Sequence, residues 1–177
     1  MPLPDAVLPV SFSPALVAAV RAGRKTVTRR RFPGLPGLLE APDRYRLLEL
    51  DAAGAHFEDV ATGCRLPGQA CPLGPPGQRL HLSQAPELEL VVTAVGVERV
   101  RAITAAGARA EGIRERPPAR HEPGGARWGG VAPDPAGGFH WHPDPVTAFA
   151  HLLGGFYPGA WERNAWVWVV GFRVLAP

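Results

Sequence analysis

Lysine is almost missing from this chain: of 19 Lys and Arg residues, only Lys25 is a lysine. Cysteine stops at 2, methionine at 1 and tyrosine at 2. Two cysteines, Cys64 and Cys71, are too few for a disulfide framework, and their C-x6-C spacing is not that of a zinc knuckle. Two free thiols are expected, with a structural metal shared with a histidine as the lesser alternative. No apolar run is long enough to cross a bilayer, and the first residues lack the basic-then-apolar order of a secretory signal. A cytoplasmic protein with no membrane partner is the expectation. Charge of either sign is not strongly in excess: a net charge of +3 and a pI near 9.4 permit a polyanionic partner without requiring one.

Glycine and proline are abundant, 21 of each, and dispersed along the chain, which points to many turns and not to disorder. With 177 residues, 46% hydrophobic and 20% charged, the composition is that of one globular domain, residues 1–177, expected to be monomeric. Residues 1–12 read as a leading strand carrying Val7, Leu8, Val10 and Phe12. Ser13 can cap a helix that Pro14 opens and Gly23 ends, with Leu16, Val17 and Val20 on its apolar face. The chain then becomes extended through Arg24-Lys25-Thr26-Val27-Thr28-Arg29-Arg30-Arg31, where the β-branched residues favour a strand. In a chain that otherwise uses arginine for every positive charge, a single lysine suggests a position that needs an amine able to lose its proton. A guanidinium cannot do so. Arg24, Arg29 and Arg30 are near enough in sequence to push the Lys25 pKa down.

Further along, Tyr45 to Leu50 and Ala55 to Val60 flank Asp51-Ala52-Ala53-Gly54 as a hairpin. Arg79 to Leu82 is a short strand. Glu87 to Arg101 is a long one with apolar residues on both faces, which suits a small closed barrel with a helix outside it. Thr104 caps a short helix ended by Gly112, leaving Glu111 in its last turn, where the helix dipole disfavours a carboxylate. Residues 114–144, rich in Gly, Pro, Arg and His, read as a long insertion loop carrying Trp128, Phe139, His140, Trp141 and His142. His140-x-His142 can chelate a metal from one strand face, but no third ligand is evident, and no metal or cofactor is expected. Asp144-Pro145 opens another helix, with Phe149, Leu152 and Leu153 inward and Gly154 as its stop. Trp166 to Val174 is a buried closing strand.

Three of these segments carry a resemblance. Gly23-x-Lys25-x-x-Thr28-x-Arg30 resembles the G-x-K-x-x-T-x-R signature of the ASCH domain family. Thr104 to Gly112 is similar to the family's T-x-x-x-A-x-x-E-G helix. Asn164 to Phe172 is similar to the N-P-W-V-W-V-I-x-F closing strand of ASCH proteins common in phages and prophages. The resemblance implies an α+β fold, a small PUA-like β-barrel with two or three short flanking helices. It implies a site in which Lys25 activates Thr28 as a nucleophile and Glu111 assists, as in family amidohydrolases that remove the acetyl group from N4-acetylcytidine. It further implies a nucleoside or RNA as partner, contacted by Arg24, Arg29, Arg30, Tyr157 and Trp166. The alternatives are an RNA- or nucleotide-binding module without chemistry, a ribonuclease, and a phage-derived accessory protein without activity. Between Pro76 and Pro86 the chain lacks the Asp, the two Trp and the Arg-Glu pair frequent in relatives. One geometric difficulty accompanies the hydrolase reading: in a regular strand Lys25 and Thr28 face opposite ways.

Overall fold

The structure is a computed structural model and describes residues 6–118, 120–121, 124–125 and 127–175. It is a mixed α+β fold built on one five-stranded sheet. Strand β1 is Leu8–Val10, β2 is Val27–Arg30, β6 is Arg79–Leu82, β7 is Ala85–Arg99 and β11 is Trp166–Val174, and they lie in the order β1-β6-β7-β11-β2. The hairpin expected at Asp51–Gly54 forms between β3 (Tyr45–Asp51) and β4 (Gly54–Asp59), joined by β5 (Cys64–Arg65) in a second sheet. Phe57 on β4 is fully buried against Phe32, 5.4 Å away edge-on, and Phe32 stacks on Trp168 of β11 at 4.7 Å. These rings lock the hairpin onto the main sheet, and Trp168 with Val167 and Val170 forms the centre of the core.

Helix α1 runs Pro14–Arg21 and buries Leu16, Val17, Ala19 and Val20; Gly23, at φ +70°, gives the left-handed exit that turns the chain into β2. A single turn, α2 (Gly37–Glu40), follows β2 and buries Leu38. Helix α3 (Ala105–Ala110) is capped by Thr104, whose hydroxyl accepts from the Gly107 N–H at 3.1 Å. Helix α4 (Pro145–Phe156) is capped by Asp144, which accepts from the Thr147 N–H at 2.9 Å. It runs through Gly154, so that glycine is not its stop: Leu152 and Leu153 bury on the turn it belongs to, and packing outweighs the local glycine cost.

Three other expectations are corrected. Residues 114–144 do not form an insertion loop throughout. They carry a three-stranded antiparallel sheet, β8 (Arg114–Arg116), β9 (Arg127–Pro133) and β10 (Phe139–His142), with α4 packed on it; residues 119, 122, 123 and 126 of this segment lie outside the described residues. Nor do the described strands close into a barrel: β1 and β2 are the two edges of the five-stranded sheet and do not pair. A side chain bridges the opening instead, with Arg30 Nη2 donating to the Ser11 carbonyl just beyond β1 at 2.9 Å. The described residues form four α-helices where two or three were expected. Among the described residues no helix is long and apolar enough to cross a membrane. Cys64 and Cys71 are both free thiols, and neither joins a metal-ligating cluster among the described residues.

Candidate functional site

A cavity of about 340 Å³ occupies the opening between the unpaired edges of the main sheet. Its floor is Thr28, Arg29 and Arg30 of β2, and one wall is Ser11, Phe12, Ser13 and Leu16 at the start of α1. Phe149, Leu152, Leu153, Phe156 and Tyr157, from α4 and the residue after it, form the other wall, with Gln84 at the rim. The walls are therefore mostly aliphatic and aromatic, with a few polar groups converging from β2 and the α1 entrance.

Two of those polar atoms have no partner. Ser13 Oγ and Arg30 Nε are buried without a hydrogen bond. Ser13 does occupy the N-cap position of α1 with extended backbone angles, but its hydroxyl makes no capping bond, contrary to the sequence expectation. Arg30 forms no salt bridge among the described residues and holds only the Ser11 carbonyl, with its guanidinium carbon 5.3 Å from the centre of the Phe12 ring. The Thr28 hydroxyl makes no hydrogen bond among the described residues either. Buried polar groups are nearly always satisfied, so unpartnered ones facing a single cavity mark a place prepared for a ligand's acceptor and donor atoms.

Behind this floor lies a buried ionic cluster. Lys25 sits just before β2 and forms a bridge pairing with Glu111, the residue that ends α3. Lys25 Nζ donates to Glu111 Oε2 at 2.7 Å, to the Val27 carbonyl at 2.8 Å and to the Glu111 carbonyl at 3.3 Å, so all three ammonium protons are engaged. Arg29 Nη1 meets the other Glu111 oxygen at 3.1 Å, and Arg29 Nε meets Glu98 Oε1 at 2.7 Å. Lys25, Arg29 and Glu111 are all buried, and their side chains are at most 5% exposed. The Glu111 carboxylate is thus accounted for: two cations offset the unfavourable end of the helix dipole. Gly112 follows at φ +103°, and a Cβ there would stand 3.0 Å from Ala19 and 3.4 Å from Lys25, which is why the helix end can press so close to β2.

Burial pushes the Lys25 amine below its ordinary 10.5; Glu111 pulls it back up by charge and hydrogen bond, while Arg30 and Arg29 add to the lowering. The lowering matches the sequence expectation, with burial and not the arginines as its main cause.

The expected site residues divide accordingly. Lys25 and Glu111 are in direct contact, and Arg29 joins them. Thr28, Arg29, Arg30 and Tyr157 line the cavity. Thr28 and Lys25 are not hydrogen-bonded, and strand alternation explains it: Lys25 and Arg29 reach Glu111, whereas Thr28 and Arg30 face the cavity. Two expected contact residues lie elsewhere. Arg24 is spent on the Gly112 carbonyl at 3.3 Å. Trp166 packs edge-on against Phe57 at 5.4 Å and donates its indole N–H to the Pro42 carbonyl at 3.2 Å, because its position on β11 turns it toward the hairpin. Sequence reading missed Glu98, the second partner of Arg29, since a glutamate at that point of a long strand carries no pattern. It also missed Phe12, Ser13 and Phe149 as cavity residues; the Ser-Pro step at the helix entrance was the available signal for Ser13, and it reads equally well as a cap.

Comparison of the chain with models of protein families, with curated proteins and with solved structures finds no match.

Proposed function

We propose that the cavity binds a nucleobase or nucleoside and that the protein is an amidohydrolase of the ASCH type, removing an acyl group from a modified base such as N4-acetylcytidine. The observation that carries this reading is the coincidence in one small cavity of the Thr28 hydroxyl, an Arg30 without a salt bridge among the described residues and an unsatisfied Ser13 hydroxyl, with the buried Lys25–Glu111 pair nearby. A volume of about 340 Å³ lies at the small end of the range for ligand pockets, suited to a single base or nucleoside and not to an oligomer. Phe12, Phe149 and Tyr157 offer ring faces and edges to a planar heterocycle. Arg30 and Ser13 are placed to hold carbonyl or phosphate oxygens.

In this reading the Thr28 oxygen attacks the acyl carbon, the bond from that carbon to the base nitrogen breaks, and the nitrogen leaves with a proton. Water then hydrolyses the threonine ester to a carboxylic acid and restores the hydroxyl. Lys25, with its lowered proton affinity, and Glu111 exchange the proton through the substrate or a water, since neither side chain touches Thr28 in the free protein. Arg30 supports the oxyanion. The test is chromatography of N4-acetylcytidine and other acylated nucleosides incubated with the protein and with Thr28→Ala. Release of acid and free nucleoside by the first and not the second supports the reading; no turnover of any acylated base removes it.

A second reading, binding of RNA or nucleotides without chemistry, draws on a different face. On the β8–β10 sheet Arg116 lies 4.8 Å and Arg114 5.2 Å from the Trp141 ring centre, and Arg114 also lies 5.9 Å from Phe139. Cations interleaved with rings suit phosphate contact and base stacking. RNA affinity that falls steeply with salt and is indifferent to Thr28→Ala favours this reading.

A further inference from the structure

The sheet that replaces the expected loop separates two chemistries by strand alternation. On β10, Phe139 and Trp141 meet the arginines of β8, while His140 and His142 turn the other way, toward α4. There they meet a third histidine that no local pattern joins to them. His151 of α4 lies with its ring centre 4.3 Å from that of His140 and 5.0 Å from that of His142, at interplanar angles of 49° and 42°. We propose that His140, His142 and His151 form a binding site for a borderline divalent cation such as Zn2+, with a fourth position left to water or a small anion.

Four observations carry the assignment. The first is the spacing. With metal–nitrogen bonds of about 2.0–2.1 Å in a tetrahedral site, two coordinated imidazole ring centres stand about 5 Å apart, which is close to the separations His151 keeps from its two neighbours. The second is His142 Nε2, which is buried and has no hydrogen-bond partner, so that an imidazole nitrogen is held out of water with nothing to bind. The third is Asp134, whose Oδ2 lies 3.7 Å from His140 Nδ1. At that distance the carboxylate is a neighbour and not a hydrogen-bond partner, and it becomes the outer partner usual for a metal-bound histidine once the His140 ring turns toward it. The fourth is the donor set: three neutral imidazoles select Zn2+, Co2+, Ni2+ or Cu2+ over Mg2+ and Ca2+.

The ring nitrogens do not yet converge on one point, so binding requires rotation of the rings about their side-chain torsions. His151 is exposed and free to turn. The other compact group of donors among the described residues, Glu49, Asp51 and His56, lacks this character because its members are already matched. Asp51 Oδ1 accepts from the Ala53 N–H at 2.8 Å and lies 3.2 Å from His56 Nε2, and Glu49 pairs with Arg65. A cation on the three histidines ties β10 to α4 one residue before Leu152 and Leu153, both of which line the cavity. The ion therefore braces the cavity wall from behind; it has no place in the acyl-transfer steps.

The experiment uses the full chain, free of any affinity tag and treated with chelator. Zn2+ is titrated by calorimetry, and Co2+ by visible absorption. The expected result is one equivalent bound, a Co2+ spectrum of four-coordinate intensity, and affinity at least about ten-fold weaker in both His142→Ala and His151→Gln. Glu49→Gln and Cys64→Ser leave binding unchanged. His151→Gln changes an exposed residue and keeps the proposal testable if His142→Ala fails to fold. Absence of saturable binding overturns the proposal. So does binding indifferent to His151→Gln, or binding lost with Glu49→Gln or Cys64→Ser.

Discussion

Replacing Glu111 by glutamine tests whether the buried cluster is held as described. The change keeps the shape of the side chain and removes its charge. Lys25 loses its only carboxylate partner, at 2.7 Å, and keeps just the carbonyls of Val27 and Glu111. Arg29 loses one carboxylate at 3.1 Å and retains Glu98 at 2.7 Å. Removing one member of a buried ion pair costs about 3–5 kcal/mol, because the other charge stays out of water uncompensated. Against a typical domain stability of about 5–15 kcal/mol that is a large share. For a chain of this length each kcal/mol moves the melting temperature by about 2–4 °C, so the expected fall is about 6–20 °C. The double variant Lys25→Met with Glu111→Gln removes the stranded charge as well, and Arg29 still has Glu98. It should regain at least about 1 kcal/mol relative to Glu111→Gln alone. Urea unfolding followed by circular dichroism measures both. A loss below about 1 kcal/mol for Glu111→Gln, or a double variant no more stable than the single, refutes the reasoning.

Other consequences follow from the same geometry. Lys25 binds its proton more weakly in the folded protein than its ordinary 10.5, so in the pH range just below 10.5 the unfolded chain holds more protons. The Lys25 contribution to stability therefore rises with pH up to 10.5 and is flat above it; the stability difference between the protein and Lys25→Met, measured by denaturant titration from neutral pH upward, should rise likewise. Gly112→Ala should cost more than about 1 kcal/mol in the same assay, since φ +103° and a Cβ 3.0 Å from Ala19 both oppose it. The two helix entrances should behave oppositely: Asp144→Ala removes a formed cap and costs about 0.5–2 kcal/mol. Ser13→Ala removes no capping bond and leaves thermal stability nearly unchanged while weakening nucleoside binding in calorimetry.

Much of the fold was legible because the strands and caps announce themselves locally. Thr104 and Asp144 cap the helices assigned to them, Gly23 and Gly112 take positive φ where the chain must turn, and the hairpin around Asp51–Gly54 and the closing strand Trp166–Val174 stand where alternation and turn residues put them. What failed was long-range or ambiguous. The Gly-rich composition of 114–144 reads as loop, yet Gly129 and Gly130 sit inside β9 at φ +155° and +75°, where a side chain would strike the His140 carbonyl or Arg114. The ion pairing of Lys25 with Glu111 joins residues 86 positions apart; the family motifs suggested their proximity, but Arg29 as the second cation and Glu98 as its other partner had no local signature. The resemblance makes Trp166 a ligand contact, but an aromatic at the start of a strand looks the same whether it faces a cavity or a hairpin, and this one faces the hairpin.

The central claim is that Thr28, on the floor of the cavity between β1 and β2, carries the acyl group during turnover. Rapid acid quenching of the protein with an acylated nucleoside, followed by peptide mass spectrometry, tests it directly. The account predicts an acyl increment on the peptide containing Thr28, absent from Thr28→Ala. Hydrolysis with no increment there, or with the increment on another residue, contradicts it.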